Sequence, residues 1–129
     1  MFKILIVDDD PDMVEAGRIV LEKEGYLVES AANLADGLAK LAKTDPDLLV
    51  LDVMMEEADD GLRFARQARR LGNMLPIIML TSVNRALGVQ IGKDEEMVPV
   101  DEFLEKPVDP HTLVAKVKAL LDERREESW

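Results

Sequence analysis

"KILIVDDDP", residues 3–11, runs from an apolar stretch into three consecutive carboxylates and a proline. So short a run, rich in Ile, Leu and Val and bounded by turn-forming residues, reads as a strand buried on both faces. The residues after it carry a helix start, with Asp10 as N-cap, Pro11 as first helical residue and Gly25 closing the helix. A strand passing straight into a helix is the unit from which parallel α/β sheets are built. Here three acids stand at its joint.

The unit recurs. "YLVESA" (26–31) gives a second strand, after which Asn33 can cap a helix carrying Leu34, Leu38 and Leu41 on one face. "DLLVLD" (47–52) follows Pro46 as a third strand. An acidic loop then leads to Gly61 and a third helix, with Leu62, Ala65 and Leu71 facing in and Arg63, Arg66, Arg69 and Arg70 facing solvent. "PIIMLT" (76–81) is the fourth strand, and "DEFLEK" (101–106), stopped by Pro107, is a short fifth strand near a sheet edge. Between them, residues 84–99 contain Gly88, Gly92 and Pro99 with only a weak apolar stripe, which predicts a short or broken fourth helix and a long loop. Asp109 and Pro110 repeat the start signal, and Leu113, Val117, Leu120 and Leu121 trace the inner face of the last helix. Alternation without hairpin signals predicts one α/β domain over residues 1–129, a doubly wound five-stranded parallel sheet with helices on both faces.

The 129 residues, 47% hydrophobic and 33% charged, can bury a layered core without staples. Cysteine is absent, which excludes disulfides, zinc thiolate sites and thiol catalysis. The opening apolar run is too short for a signal peptide and no stretch approaches a membrane span, so a cytoplasmic protein without membrane contact is expected. The formal charge of −11 disfavours direct nucleic-acid binding and favours a cation or a basic partner.

In open α/β sheets ligands bind beyond the carboxyl ends of the strands. That rule gathers Asp8, Asp9 and Asp10, then Asp52, then Thr81 and Ser82, then Lys106, on one rim. Carboxylates converging without a cation repel one another, and oxygen ligands with no His or Cys suit Mg²⁺, with Mn²⁺ as a substitute. Lys106 can pair with Asp52 at rest and with a phosphoryl group when one is present, and Thr81 can donate to a phosphoryl oxygen. Neutralising phosphoryl oxygens is the main demand of phosphoryl transfer, and Asp52 is the natural nucleophile. Asp10 reads as a helix cap, not a ligand.

At these residues, "DDD", "LDVMM", "LTS" and "EKP" in order at the strand ends, the whole chain resembles the receiver domains of two-component response regulators. The resemblance implies a flavodoxin-like sheet of strand order 2-1-3-4-5. It also implies that Asp52 accepts a phosphoryl group from the phosphohistidine of a sensor histidine kinase or histidine phosphotransfer protein. Asp8, Asp9, Asp52 and the backbone carbonyl of Met54 would hold Mg²⁺. Lys106 would be the family lysine, joined by a cis bond to Pro107; Thr81 would be the switch hydroxyl and Phe103 the aromatic that turns inward with it. The output would pass to a downstream protein target through the surface near strands four and five, from a monomer or weak dimer. Such a domain is not an enzyme in the turnover sense.

Two departures stand out. Most receivers have proline four residues and glycine eight residues after the acceptor, whereas Glu56 and Gly61 stand four and nine residues after Asp52. The loop is thus longer by one and more acidic, with Glu56, Glu57, Asp59 and Asp60 read as solvated charges. The second is the interrupted fourth helix, which predicts a weak or rearranged dimer through that face. The resemblance further implies that the residues two beyond acceptor and switch govern water access to the phosphoryl group; here they are the apolar Met54 and Val83, which cannot position an attacking water, so slow self-dephosphorylation is expected. Two other classes compete: a receiver-like module that signals by binding alone, and an aspartate-nucleophile phosphatase using Asp8 and Asp10. Pro11 and the acid at 52 fit the phosphatase badly. His111, the only histidine, reads as a surface residue.

Overall fold

The computed structural model describes residues 2–52, 60–82 and 100–127. The expectations for Met54, Glu56, Glu57, Asp59, Val83 and the fourth-helix segment 84–99 lie outside these described residues. In chain order come β1 (Lys3–Val7), α1 (Pro11–Lys23), β2 (Leu27–Ala31), α2 (Leu34–Thr44), β3 (Leu48–Asp52), α3 (Asp60–Arg70), β4 (Ile77–Ser82), β5 (Glu102–Lys106) and a last helix, α4 (Pro110–Glu127).

The helices start where their caps allow. The Asp10 carboxylate accepts from the Asp12 N–H at 3.0 Å, Asn33 Oδ1 from the Asp36 N–H at 2.8 Å, and Asp109 Oδ1 from the His111 N–H at 3.1 Å. Each satisfies a main-chain donor that the first helical turn leaves free. Gly25 takes the left-handed φ of 96° after α1, whereas α2 is ended by Asp45 at φ 48°, a conformation that costs an aspartate less than most side chains.

All strands pair in parallel, in the order β2-β1-β3-β4-β5, a doubly wound flavodoxin-like sheet. Successive side chains of a strand face opposite sides, and here each side is a core. Leu5, Val7, Leu49, Leu51, Ile77 and Met79 meet α2 and α3 through Leu41, Phe64, Ala65 and Ala68. Ile4, Ile6, Leu48, Val50, Ile78 and Leu80 meet α1 and α4 through Leu21, Leu113, Val117 and Leu121. β3, the central strand, is buried along its whole length, and β5, at the edge, is mostly half-buried.

α3 departs from expectation. Leu71 does not face in: it comes after the last helical residue and is 68% exposed, while Phe64 and Ala68 fill the core positions. Arg69 is not a free surface cation. Its guanidinium donates to the carbonyls of Asn73 (3.1 Å) and Leu75 (2.6 Å) and to Asp101 (3.3 Å), closing the turn between α3 and β4. Asp60 opens α3 and is only 5% exposed, beside Arg63 at 3.5 Å, so it is not a solvated loop charge. α2 and α3 approach closely because residue 37 is glycine: a Cβ there would lie 2.6 Å from the Phe64 ring.

Candidate functional site

The alternation that builds the two cores also assembles the site. Asp8 continues the Ile4, Ile6 series, Asp52 the Leu48, Val50 series, and Lys106 comes two residues after Leu104, so all three belong to the α1/α4 side of the sheet. Thr81 and Phe103 have the other parity, shared with Ile77 and Met79, and Met79 is the register partner of Phe103. Thus the strand period sorts the predicted residues into an ionic group and a hydroxyl–aromatic group. Thr81 is buried and Phe103 half-buried.

In the ionic group, carboxylate oxygens of Asp8, Asp9 and Asp52 lie within 4.8 Å of one another. Asp8 is fully buried and Asp52 is 6% exposed, while Asp9 reaches solvent. Asp8 Oδ1 accepts from the Asp10 N–H at 2.9 Å, which fixes the carboxylate plane. The Lys106 ammonium stands 2.9 Å from Asp8 Oδ2 and 3.2 Å from Asp52 Oδ2. The pairing expected with Asp52 is therefore shared, and the nearer acid is Asp8. Burial alone would lower the pKa of the lysine; the contact with Asp8 and the charges of Asp8 and Asp52 outweigh it, and the net shift is upward. The Lys106–Pro107 bond is cis, as the resemblance to receiver domains implies.

Three acids and one ammonium leave the cluster two charges short of neutrality. Among the described residues, the buried Asp8 Oδ2 meets no donor but the Lys106 ammonium. Hard oxygen donors, an excess of negative charge and a buried, under-satisfied lone pair fit a divalent cation such as Mg²⁺. Asp10 stays outside the cluster as the cap of α1, and His111 is exposed at the start of α4.

Sequence reasoning did not find what lies beside the acids. A cleft of about 450 Å³ runs from Asp8 and Asp9 between α1 and α2, lined also by Glu15, Arg18, Ser30 and Lys40. Arg18 and Lys40 carry no motif; only the fold brings two helix cations to one strand. No described helix is long and apolar enough to cross a membrane.

Residues 4–118 match the family model of the response regulator receiver domain. The response regulator MprA of Mycobacterium ulcerans is 40% identical over 123 residues, covering 92% of this chain and 50% of that protein. The alkaline phosphatase synthesis transcriptional regulatory protein PhoP of Bacillus subtilis is 37% identical over 123 residues, covering 92% of this chain and 48% of its own length. The chain thus spans about half the length of these relatives. Among solved structures, a CheY-like receiver domain protein from Methanospirillum hungatei superposes with a TM-score of 0.83 at 31% identity, covering 99% of both chains. The chemotaxis response regulator CheY4 of Vibrio cholerae does so at 0.81 and 31%, covering 93% of this chain and 98% of that one.

Proposed function

The chain belongs to the response regulator receiver domain family, and from that premise we propose that it is a phosphoacceptor switch, taking a phosphoryl group onto Asp52 from the phosphohistidine of a cytoplasmic signalling partner. One observation carries the reading: Asp8, Asp9 and Asp52 converge within 4.8 Å with Lys106 at 2.9 and 3.2 Å, all at carboxyl ends of strands. A merely structural set of acids has no need to crowd so closely around one shared ammonium.

A carboxylate oxygen of Asp52 attacks phosphorus as the P–N bond to the donor imidazole breaks. The electron pair of that bond stays with the imidazole nitrogen, which takes up a proton. Asp8, Asp9, Asp52 and the Met54 carbonyl would hold Mg²⁺, which when bound supplies charge for the phosphoryl oxygens. Asp52 is held by the fully buried β3, so the nucleophile is positioned before the donor arrives. Lys106 loses an acid partner when Asp52 becomes an acyl phosphate and is then free to pair with the phosphoryl oxygens. Thr81 donates its hydroxyl to the same group. Its movement frees space on the face it shares with Phe103, which turns inward and alters the surface beside β4 and β5. A downstream protein target reads that surface.

Incubation with Mg²⁺ and acetyl phosphate, with intact-mass measurement afterwards, tests this. One added phosphoryl group, absent in Asp52→Ala, is expected. No gain in the parent protein, or an equal gain in the variant, would return the domain to signalling by binding alone.

A further inference from the structure

β2 ends the sheet, so one row of its main-chain groups has no neighbouring strand among the described residues. The Leu27 N–H donates to the Phe2 carbonyl at 2.9 Å, and the Ala31 carbonyl accepts from the Asp8 N–H at 3.0 Å. Residues 27, 29 and 31 therefore turn their main chain toward β1, and Val28 and Ser30 turn theirs outward.

Both outward carbonyls are occupied by cations. Arg18 Nη1 donates to the Val28 carbonyl at 2.9 Å and Nη2 to Ser30 Oγ at 3.1 Å, while the Lys40 ammonium donates to the Ser30 carbonyl. Arg18 reaches the edge from α1 on one side of the sheet and Lys40 from α2 on the other. The edge strand is clasped from above and below.

Glu29 sits between the two clasped residues. If two copies of the chain paired through β2 with both outward residues satisfied, the strands would run antiparallel, with Val28 of each copy opposite Ser30 of the other. Glu29 would then face its own counterpart across the narrow, non-hydrogen-bonded position, where Cα atoms are about 4.5 Å apart. Like charges directly opposed there disfavour pairing.

We propose that Arg18, Lys40 and Glu29 close the β2 edge against strand addition by a second copy of this chain, and that the edge becomes a homodimer interface once they are replaced. The half-exposed Leu27 at the head of the strand gives such an interface an apolar contact.

The absence of cysteine gives a clean test. Glu29→Cys, alone and combined with Arg18→Met and Lys40→Met, is exposed to oxidised glutathione, and disulfide-linked dimer is monitored by mass and non-reducing gel. Methionine keeps the apolar stem over the sheet and drops the donors, so folding, checked by circular dichroism, is retained. Cross-linking is expected several-fold faster in the triple variant, with Glu29→Cys/Lys40→Met intermediate. Equal rates in the single and combined variants, or no cross-link in any folded variant, overturns the proposal.

Discussion

Replacing Lys106 by methionine removes the only cation shown, among the described residues, within reach of Asp8 Oδ2, at 2.9 Å, and one partner of Asp52, at 3.2 Å, while keeping most of the stem. Removing one member of a buried ion pair costs about 3–5 kcal/mol, because the remaining charge stays away from water. The lysine side chain is 22% exposed, so part of that is screened and a loss of about 2 kcal/mol is expected for the metal-free protein. Mg²⁺ should move the other way. A divalent ion and an ammonium sharing two carboxylates repel by several kcal/mol even at an effective dielectric constant of about 20. If screening leaves about 1.4 kcal/mol of this, the variant binds Mg²⁺ about tenfold more tightly. Urea unfolding with and without Mg²⁺ reads both effects, since ligand at about a hundred times its dissociation constant adds about 2.7 kcal/mol. The raised lysine pKa sets the pH dependence. Its contribution is fully present below the unfolded value of about 10.4 and is lost as pH rises through the folded value, so the variant should lack that part of the alkaline decline. A variant that binds Mg²⁺ no more tightly than the parent would refute the reasoning that ammonium and metal compete for the same two acids.

Gly37→Ala should destabilise the fold by about 1–3 kcal/mol, because its methyl meets the buried Phe64 ring at 2.6 Å. Adding Phe64→Leu should return part of the loss, and a double-mutant cycle showing no coupling would contradict the contact. Asp101→Ala should cost about 1–3 kcal/mol in thermal unfolding, since the Asp101 carboxylate accepts the Ile77 N–H at 2.8 Å and holds Arg69 in place. Asp10→Ala should cost about 1 kcal/mol without abolishing Mg²⁺ binding, because this acid caps α1 and does not join the cluster. Met54→Asn or Val83→Glu should shorten the lifetime of the phosphorylated form, read as decay of the mass-shifted species. Unchanged decay in both would discount water access as its determinant.

The strands were legible because a doubly covered parallel sheet demands uninterrupted Ile, Val and Leu, a demand written directly into "ILIV", "LLVL" and "IIML". The caps at Asp10, Asn33 and Asp109 were legible for a similar local reason. The acids, the hydroxyl and the lysine could be gathered because they stand at strand ends, where topology alone brings distant positions together. What escaped depends on distances between elements. Leu71 looked like part of an inward stripe until Gly72 ended the helix, and Arg69 looked solvated because its partners lie in a turn and just before β5. The preference of Lys106 for Asp8 over Asp52, and the grip of Arg18 and Lys40 on β2, come from packing that no periodicity encodes.

The half-buried β5 carries a consequence of its own. The acids stand at the ends of β1 and β3, each flanked by strands on both sides, while Lys106 and Phe103 ride on an edge strand whose one strand neighbour among the described residues is β4. Local opening is therefore expected on β5 before β3, so that it reaches the ammonium before it reaches the Asp52 carboxylate. The domain divides its labour between an anvil and a spring: chemistry needs the acids fixed, and a signal needs something near them that can move at low cost. On the proposed reading, sequence drift on the outer strand can retune who listens without disturbing the group that is spoken to.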